Sequence, residues 1–321
     1  MTFAPVSDLP VIGIVSPCYN EELVLAETSH QLNSILADMI ARAVISEKSF
    51  AVFVDDGSKD QTWAAIEKQS SALAHIKGLK LAGNVGHQKA LLAGLITFKG
   101  EADALISIDA DLQDDVRVIE EMIMKFKSGT DVVYGVRKER TTDTFFKRNT
   151  ALIFYKLMKK MKVNIVYNHA DYRLCSTRVI DALSQFNEVN LFLRGIIPSI
   201  GFRNEVVYYD RLERFAGESK YPFKKMAAFA WNGVTSFSNY PLKLVSIIGF
   251  VIFFVCLIMS GYALFALYRH SVVPGWVSTV LPMYFLGGVQ LLCFGIIGEY
   301  IGKIYLEVKQ RPRYFIDKRV D

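Results

Sequence analysis

Two long stretches without a charged side chain, residues 244–268 and 276–298, constrain this chain more than any other feature of its sequence. As helices rising about 1.5 Å per residue, both are long enough to cross the roughly 30 Å hydrocarbon core of a bilayer. Two buried helices of a soluble core are the alternative, but such helices normally present a polar face. The pattern therefore predicts a transmembrane hairpin with helices over about 244–268 and 277–301.

Basic side chains flank this hairpin on both sides, whereas the link at 269–275 carries one arginine. Because Lys and Arg concentrate on cytoplasmic flanks, we expect both termini in the cytoplasm and the link outside. The hairpin predicts a multi-pass protein of the plasma membrane. We find no signal-peptide pattern, so the N-terminal part is expected in the cytoplasm. Basic residues beside the bilayer account for much of the net charge of +5, so no nucleic-acid partner is expected.

Residues 1–221 alternate short apolar runs with stretches of helical spacing. The alternation predicts an α/β fold, a mainly parallel sheet with helices on both faces. Ligands bind such sheets beyond the carboxyl ends of the strands, and the acidic segments PCYNEE, DDGSKD and DADLQDD follow three of these ends. The predicted strands are residues 11–16, 50–54, 79–81, 104–108 and 131–134, and the clearest predicted helix is 21–45.

The remainder of the chain divides into three predicted segments. Residues 222–242 place apolar side chains at helical spacing, which we interpret as an amphipathic segment at the membrane interface. An ordinary packing helix of the N-terminal domain is the alternative. The hairpin occupies residues 243–303, and a basic cytoplasmic tail follows at 304–321. Four cysteines form no C-x-x-C pair, so neither structural disulfides nor zinc is expected.

Asp109 and Asp111 lie two residues apart at the end of a predicted strand, where an extended backbone would point both carboxylates the same way. Two hard oxygen donors suit Mg²⁺ or Mn²⁺, which usually shares its coordination with substrate phosphates. The alternative is a solvated loop whose aspartates cap the following helix, a role that suits Asp114 and Asp115. A second acidic turn, VDDGS at 54–58, is expected at the same edge and favours the metal site.

Five segments in this order resemble the family 2 glycosyltransferases, which have the GT-A fold: SPCYNEE, VDDGSKD, GNVGHQKA, DADLQDD and DYRL. RFAGESKY at 214–221 and a hairpin ending in GEYIGKIY make the chain similar to the polyisoprenyl-phosphate glycosyltransferases. The resemblance covers nearly the whole chain. It implies inverting transfer of a sugar to undecaprenyl or another polyisoprenyl phosphate at the cytoplasmic membrane face, with glucose from UDP-glucose as the leading donor.

The resemblance also implies roles for individual residues. The implied metal ligands are Asp109 and Asp111, and the catalytic candidates are Asp114 and Asp171. Asp171 acts as a base or orients the acceptor, and an ion pair that fixes Arg173 is the equally weighted alternative. The implied donor-binding residues are Pro17, Tyr19, Glu21, Asp55, Asp109 and Gln113. The implied acceptor-phosphate ligands are Arg137, Arg148, Arg173, Arg211, Arg214, Ser219 and Lys220.

Two other functions fit parts of the pattern. A processive polysaccharide synthase would share the donor site, but none of the tryptophans is preceded by the arginine of a Q-x-x-R-W motif. A non-catalytic membrane protein that binds sugar nucleotides is disfavoured by the two intact acidic turns. His87 and His169 are interpreted as polar loop residues. Relatives imply self-association through the spans, where Gly287 and Gly288 permit close helix packing.

Overall fold

The computed structural model describes residues 9–138, 169–189, 191–210, 240–268 and 275–321. The chain divides into two compact units. The first contains Met1–Pro222 together with Arg311–Asp321, and the second contains Phe223–Gln310. Most of the predicted interfacial segment, residues 222–239, lies outside the described residues.

An eight-stranded sheet forms the centre of the first unit. Its strands are β1 (Ile12–Cys18), β2 (Phe50–Asp55), β3 (Ile76–Leu81), β4 (Ala104–Ser107), β5 (Val132–Arg137), β6 (His169–Ser176), β7 (Asn204–Tyr209) and β8 (Ile316–Val320). The order across the sheet is β7-β5-β6-β4-β1-β2-β3-β8. β1 pairs in parallel with β2 and β4, and β2 pairs in parallel with β3. β5 pairs in parallel with β7. The predicted mainly parallel α/β sheet is confirmed.

The described part of this unit contains six α-helices: α1 (Glu22–Ala41), α2 (Thr62–Ala72), α3 (His87–Phe98), α4 (Ile119–Lys127), α5 (Thr177–Ser184) and α6 (Leu193–Ile200). Every residue of β1, β2 and β4 is buried, because these central strands have both faces covered. Close approach of α3 depends on Gly94, where a Cβ atom would lie 2.4 Å from Val15 and 2.8 Å from Val54.

Strand β6 runs against the direction of its neighbours and was not predicted. It pairs antiparallel with β4 and β5, so that Arg173 lies opposite Ser107 and His169 opposite Val136. The amino end of β6 therefore reaches the same sheet edge as the carboxyl ends of β4 and β5. This reversal brings Asp171, near the start of β6, to the edge where the acidic segments lie.

The C-terminal residues add a strand to the opposite border of the sheet. β8 pairs antiparallel with β3, and the Arg319 guanidinium lies 4.6 Å from the centre of the Phe98 ring. Arg319 Nη2 also lies 2.7 Å from Glu101 Oε1. The sequence predicted a basic tail over 304–321, whereas the structure places part of it in the sheet, covering an edge that would otherwise be open.

The described residues of the second unit form two long helices, α7 (Tyr240–Tyr268) and α8 (Trp276–Lys309). They match the predicted helices of the hairpin, and α8 continues beyond the predicted end. Within the described part of this unit, Phe285–Lys309 is long and apolar enough to cross a membrane, and Pro241–Val255 is a shorter apolar helical stretch. Large apolar side chains on both helices are exposed, including Phe250 and Phe294.

Candidate active site

Polar and charged residues gather at the edge formed by the carboxyl ends of the parallel strands. The segments at 19–21, 55–58 and 109–115 follow β1, β2 and β4, which are adjacent in the sheet. Arg137 ends β5, and Tyr209 ends β7. With Asp171 entering from β6, this single edge holds the carboxylates and cations predicted from separate parts of the sequence, as open α/β sheets favour.

The segment from Asp109 to Asp115 is a turn. β4 ends at Ser107, and Leu112 adopts a left-handed conformation with φ of 57°, which is uncommon for a residue with a branched side chain. β4 therefore does not continue to Asp109 and Asp111, and the shared direction of their carboxylates stays a prediction. Gln113 N donates a hydrogen bond of 3.2 Å to Asp111 Oδ1, which closes the turn on itself.

The Asp109 carboxyl lies in a field of like charge. Its pKa is raised to about 6: burial is the largest cause, and the neighbouring carboxylates of Asp114, Asp171 and Asp111 act in the same direction, while His87 opposes them. Because like charges repel, the acidic neighbours make the ionised form of Asp109 unfavourable, and a bound cation would offset this repulsion. The turn therefore has the electrostatics of a cation site rather than of a solvated loop.

Asp114 and Asp115 have different surroundings. Asp115 Oδ1 accepts a hydrogen bond of 3.0 Å from Arg117 N, which caps the short 3₁₀ helix Val116–Val118 as predicted. Asp114 is buried, and its Oδ1 accepts a hydrogen bond of 2.5 Å from the Tyr209 hydroxyl and one of 3.4 Å from Arg137 Nη2. Its Oδ2 is buried without a hydrogen-bond partner in the described part of the chain.

Asp171 is held by two guanidinium groups. Arg173 Nη2 donates to its Oδ1 at 2.5 Å, while Arg194 donates from Nε to Oδ1 at 3.1 Å and from Nη2 to Oδ2 at 2.9 Å. Burial raises the pKa of Asp171, but Arg194 and Arg173 outweigh burial and hold that pKa well below its ordinary range. The ion pair with Arg173, left open as an alternative, is present. A carboxylate stabilised in this way is a weak proton acceptor, which favours an orienting role.

His87 lies between the two acidic elements of the site. Its Nε2 is 3.6 Å from Asp109 Oδ1 and 3.8 Å from Asp171 Oδ2. The loop before it is held by Asp56, whose carboxylate accepts hydrogen bonds from Val85 N at 2.7 Å and Gly86 N at 2.9 Å. His87, interpreted from the sequence as a polar loop residue, begins α3, and the fold of the preceding loop carries it to the acids.

The predicted donor residues lie together at the ends of β1 and β2. Pro17 is paired with Val54 in the sheet, and Tyr19 is 40% exposed just beyond β1. Glu21, at the start of α1, donates its backbone N–H to Thr62 Oγ1 at 2.9 Å. Asp55 is fully buried, with Oδ1 accepting from Ser58 N at 3.0 Å and Oδ2 without a hydrogen-bond partner among the described residues.

The predicted acceptor residues divide into three groups. Arg137 lies at the site beside Asp114. Arg173 is 1% exposed and paired with Asp171, so its burial argues against the predicted direct contact with a lipid phosphate. The remaining five lie outside the described residues: Arg148, Arg211, Arg214, Ser219 and Lys220. Sequence analysis overlooked Tyr209 and Arg194, which no recognised motif marks.

Within the described residues, no three or more His, Cys, Asp or Glu side chains are arranged to hold a metal ion by themselves. The donor set offered by Asp109 and Asp111 consists of carboxylate oxygens, which suits Mg²⁺ or Mn²⁺ sites that leave positions for water and substrate phosphate. The residues present therefore fit a cation whose coordination is completed by a substrate.

Two family models match the chain. Residues 13–184 match the model described as Glycosyl transferase family 2, and residues 240–304 match the GtrB C-terminal hairpin. The chain belongs to glycosyl transferase family 2. It is a transferase, and membership in this family together with the mainly parallel sheet confirms the predicted GT-A fold. The hairpin match and the apolar helix α8 indicate association with a membrane.

Individual relatives agree with this assignment. The chain is 54% identical to the uncharacterized glycosyltransferase YkoT of Bacillus subtilis, covering 96% of this chain and 91% of the relative. It is 40% identical to the SfII prophage-derived bactoprenol glucosyl transferase of Shigella flexneri, covering 83% and 86%. The prophage bactoprenol glucosyl transferase homolog of Escherichia coli is 37% identical, covering 96% and 99%.

Proposed function

We propose that this family 2 glycosyltransferase transfers a sugar from a nucleotide-sugar donor to the phosphate of a polyisoprenyl lipid at the cytoplasmic face of the plasma membrane. The observation that supports the proposal most is the acidic cluster of Asp109, Asp111 and Asp114, which lies beside Arg137 at the carboxyl edge of the sheet. The same chain has an apolar hairpin. The relatives named bactoprenol glucosyl transferase support the choice of lipid acceptor.

Asp109 and Asp111 would hold the divalent cation, Mg²⁺ or Mn²⁺. When bound, such an ion neutralises the charge that develops on the leaving nucleoside diphosphate. The raised pKa of Asp109 supports this assignment, because neighbouring carboxylates contribute to it, and so does the buried Oδ2 of Asp114, which has no hydrogen-bond partner among the described residues. Asp114 is then a member of the cation environment, oriented by Tyr209 and Arg137.

The donor would occupy the ends of β1 and β2. Asp55 Oδ2, buried without a hydrogen-bond partner in the described residues, can accept from an N–H group of a nucleotide base. Exposed Tyr19 and the neighbouring Pro17 and Glu21 would border the nucleoside, and Gln113 would lie beside the sugar and metal. UDP-glucose is the first donor to test.

The acceptor phosphate would attack the anomeric carbon opposite the leaving group, inverting that centre. This phosphate is already ionised at neutral pH, so positioning and charge stabilisation can supply the rate without a protein base. Arg137 at the described edge is a proposed phosphate ligand, with Arg148, Arg211, Arg214, Ser219 and Lys220 still predictions from the sequence. The cytoplasmic orientation, the two spans and self-association through them are likewise part of the proposal.

Sugar transfer by the full-length protein tests this function. Purified protein is incubated with undecaprenyl phosphate, Mg²⁺ and radiolabelled nucleotide sugars, beginning with UDP-glucose. We expect label in a lipid-extractable product from the wild type and from the surface control Asp181→Asn, which removes an exposed ion pair with Lys99. Loss of a metal ligand in Asp111→Asn should lower the rate by about a hundredfold or more.

Two outcomes would overturn the proposal. Label in a growing polymer rather than in a single lipid-linked sugar would favour a processive synthase. Binding of nucleotide sugar without lipid labelling from any donor would favour a non-catalytic binding protein.

A further inference from the structure

Arg194, in the first turn of α6, belongs to a cluster in which two guanidinium groups bind one carboxylate. Arg194 and Arg173 both bind the single carboxylate of Asp171. Two guanidinium groups, which stay protonated at every physiological pH, face one carboxylate. The cluster therefore places guanidinium groups close to the acidic turn after β4, an arrangement suited to an anion that approaches the bound donor.

Of these two arginines, only Arg194 can contact a substrate. The Arg194 side chain is 31% exposed, whereas that of Arg173 is 2% exposed. Arg173 supports Asp171 from within the sheet, and Asp171 in turn binds Nε and Nη2 of Arg194 on a side that solvent reaches. Burial and charge thus distinguish a supporting guanidinium from one that is presented at the surface.

A chain of hydrogen bonds holds Arg194 in place. Gln88 Oε1 accepts a hydrogen bond of 3.0 Å from Leu193 N, which joins the start of α6 to the start of α3. The loop before Gln88 is held in turn by Asp56 at the end of β2. Arg194 is therefore fixed from two directions, through Asp171 on β6 and through Gln88 on α3. A preorganised guanidinium of this kind loses little entropy when it binds an oxyanion.

The position of Arg194 along the sheet edge indicates which phosphate it meets. In the proposed function the nucleoside lies at β1 and β2, and the diphosphate with its cation lies at the turn after β4. β6 follows β4 in the sheet order, on the side away from β1 and β2. An attacking group must approach the anomeric carbon opposite the leaving diphosphate, so this next position along the edge is the one open to the acceptor.

We propose that Arg194 binds the phosphate of the polyisoprenyl acceptor, and that Asp171 and Gln88 are positioning residues that hold it there. This inference rests on the proposed function. In the reaction an acceptor phosphate oxygen forms a bond to the anomeric carbon while the bond from that carbon to the donor diphosphate breaks. The electron pair of the broken bond leaves with the nucleoside diphosphate, and no proton is transferred to Asp171.

The test compares full-length Arg194→Gln and Arg194→Lys with wild type and with Arg203→Gln, a control at an exposed arginine paired with Glu205. Measured quantities are the KM for undecaprenyl phosphate, the Kd for the donor nucleotide sugar, donor hydrolysis without acceptor, and Tm. We expect Arg194→Gln to raise the acceptor KM by about tenfold or more, the cost of a lost charge-assisted hydrogen bond. In the same variant, the Kd for the donor and the rate of donor hydrolysis should change by less than about twofold.

Further variants separate positioning from folding. Arg194→Lys keeps the positive charge but lacks the planar fork of donors. Its acceptor KM should therefore lie between those of Arg194→Gln and wild type. Gln88→Ala should raise the acceptor KM by a smaller factor in the same direction. An acceptor KM in Arg194→Gln equal to that of an active wild type would overturn this inference alone, as would a parallel weakening of donor binding. Failure of the wild type to label lipid would instead overturn the proposed function, and this inference with it.

Discussion

The two acidic turns of this protein look alike in sequence but have opposite surroundings. In the turn after β2, Asp55 and Asp56 accept hydrogen bonds from the backbone N–H groups of Ser58, Val85 and Gly86. In the turn after β4, the acids at 109, 111 and 114 face one another and meet mainly side chains from other elements. Adjacent acidic segments at one sheet edge thus perform different tasks.

The difference is visible in the causes of their pKa shifts. Burial raises the pKa of Asp56, two backbone donors oppose this effect, and Asp55 raises and His87 lowers the pKa by smaller contributions. Burial also raises the pKa of Asp109, but there three neighbouring carboxylates add to it. A carboxylate satisfied by backbone donors is part of the scaffold, whereas carboxylates that repel one another are prepared for a cation. Asp56 therefore shapes the site, whereas the acids of the turn after β4 supply much of its negative charge.

Removal of divalent metal should have the largest effect. If it had no effect, the distinction between a scaffold turn after β2 and a cation-binding turn after β4 would be contradicted. We expect chelated protein to lose sugar transfer by about a hundredfold or more, since the ion stabilises the leaving group. Added Mg²⁺ or Mn²⁺ should restore the rate. The half-saturating metal concentration should rise by about tenfold in Asp111→Asn and stay near the wild-type value in Asp56→Asn. Equal shifts in both variants would show that the two turns share the metal.

Loss of the Asp56 carboxylate should have the next largest effect, and it should fall on stability. Asp56→Ala leaves the N–H groups of Val85 and Gly86 without their acceptor, and we expect the free energy of unfolding to fall by about 2–3 kcal/mol. Thermal or urea unfolding in detergent measures this change. Asp38→Ala, which removes an exposed ion pair with Arg42, is the control and should cost less than about 0.5 kcal/mol. Equal losses in both variants would contradict a scaffold role for Asp56.

Replacement of Asp109 should have the smallest effect, with the opposite sign. A folded-state pKa raised to about 6 means that stability falls as pH rises from about 4 through 6, because the ionised form is disfavoured. At pH 8 we expect metal-free Asp109→Asn to be more stable than wild type by about 1 kcal/mol, after allowance for solvent screening of a side chain that is 37% exposed.

This gain should shrink as the pH falls to 4, where the folded-state carboxyl is mostly protonated and the unfolded-state carboxyl is about half protonated. Unfolding curves at pH 8 and at pH 4 without metal measure the difference. A variant less stable than wild type at pH 8 would show that Asp109 is satisfied like Asp56, and would remove the distinction between the turns.

Local patterns predicted the elements that depend on local sequence. The five predicted strands at 11–16, 50–54, 79–81, 104–108 and 131–134 all overlap observed strands, since buried parallel strands are continuous apolar runs. Strands β6, β7 and β8 were not predicted. β6 carries charged and polar residues within its run, and β8 contains Asp317, Lys318 and Arg319, so neither has the composition of a buried strand.

The candidate site was predicted in part for the same reason. Its acidic segments follow strands and were recognised, but the partners of those acids come from distant positions. Tyr209 binds Asp114 from 95 residues away, and Arg194 binds Asp171 from 23 residues away. His87 was recognised only as part of a loop, because its approach to Asp109 depends on how Asp56 holds that loop.

The amino-acid sequence by itself determined the α/β architecture, the acidic edge of the sheet and the apolar hairpin, because each depends on the spacing and length of apolar runs within short segments. Only the tertiary structure decided which carboxylates accept hydrogen bonds from backbone N–H groups and which lie close to other carboxylates. That choice depends on the reversed direction of β6 and on contacts between segments far apart in the chain, which bring the arginines and the histidine to Asp171. Local spacing carries no record of such contacts.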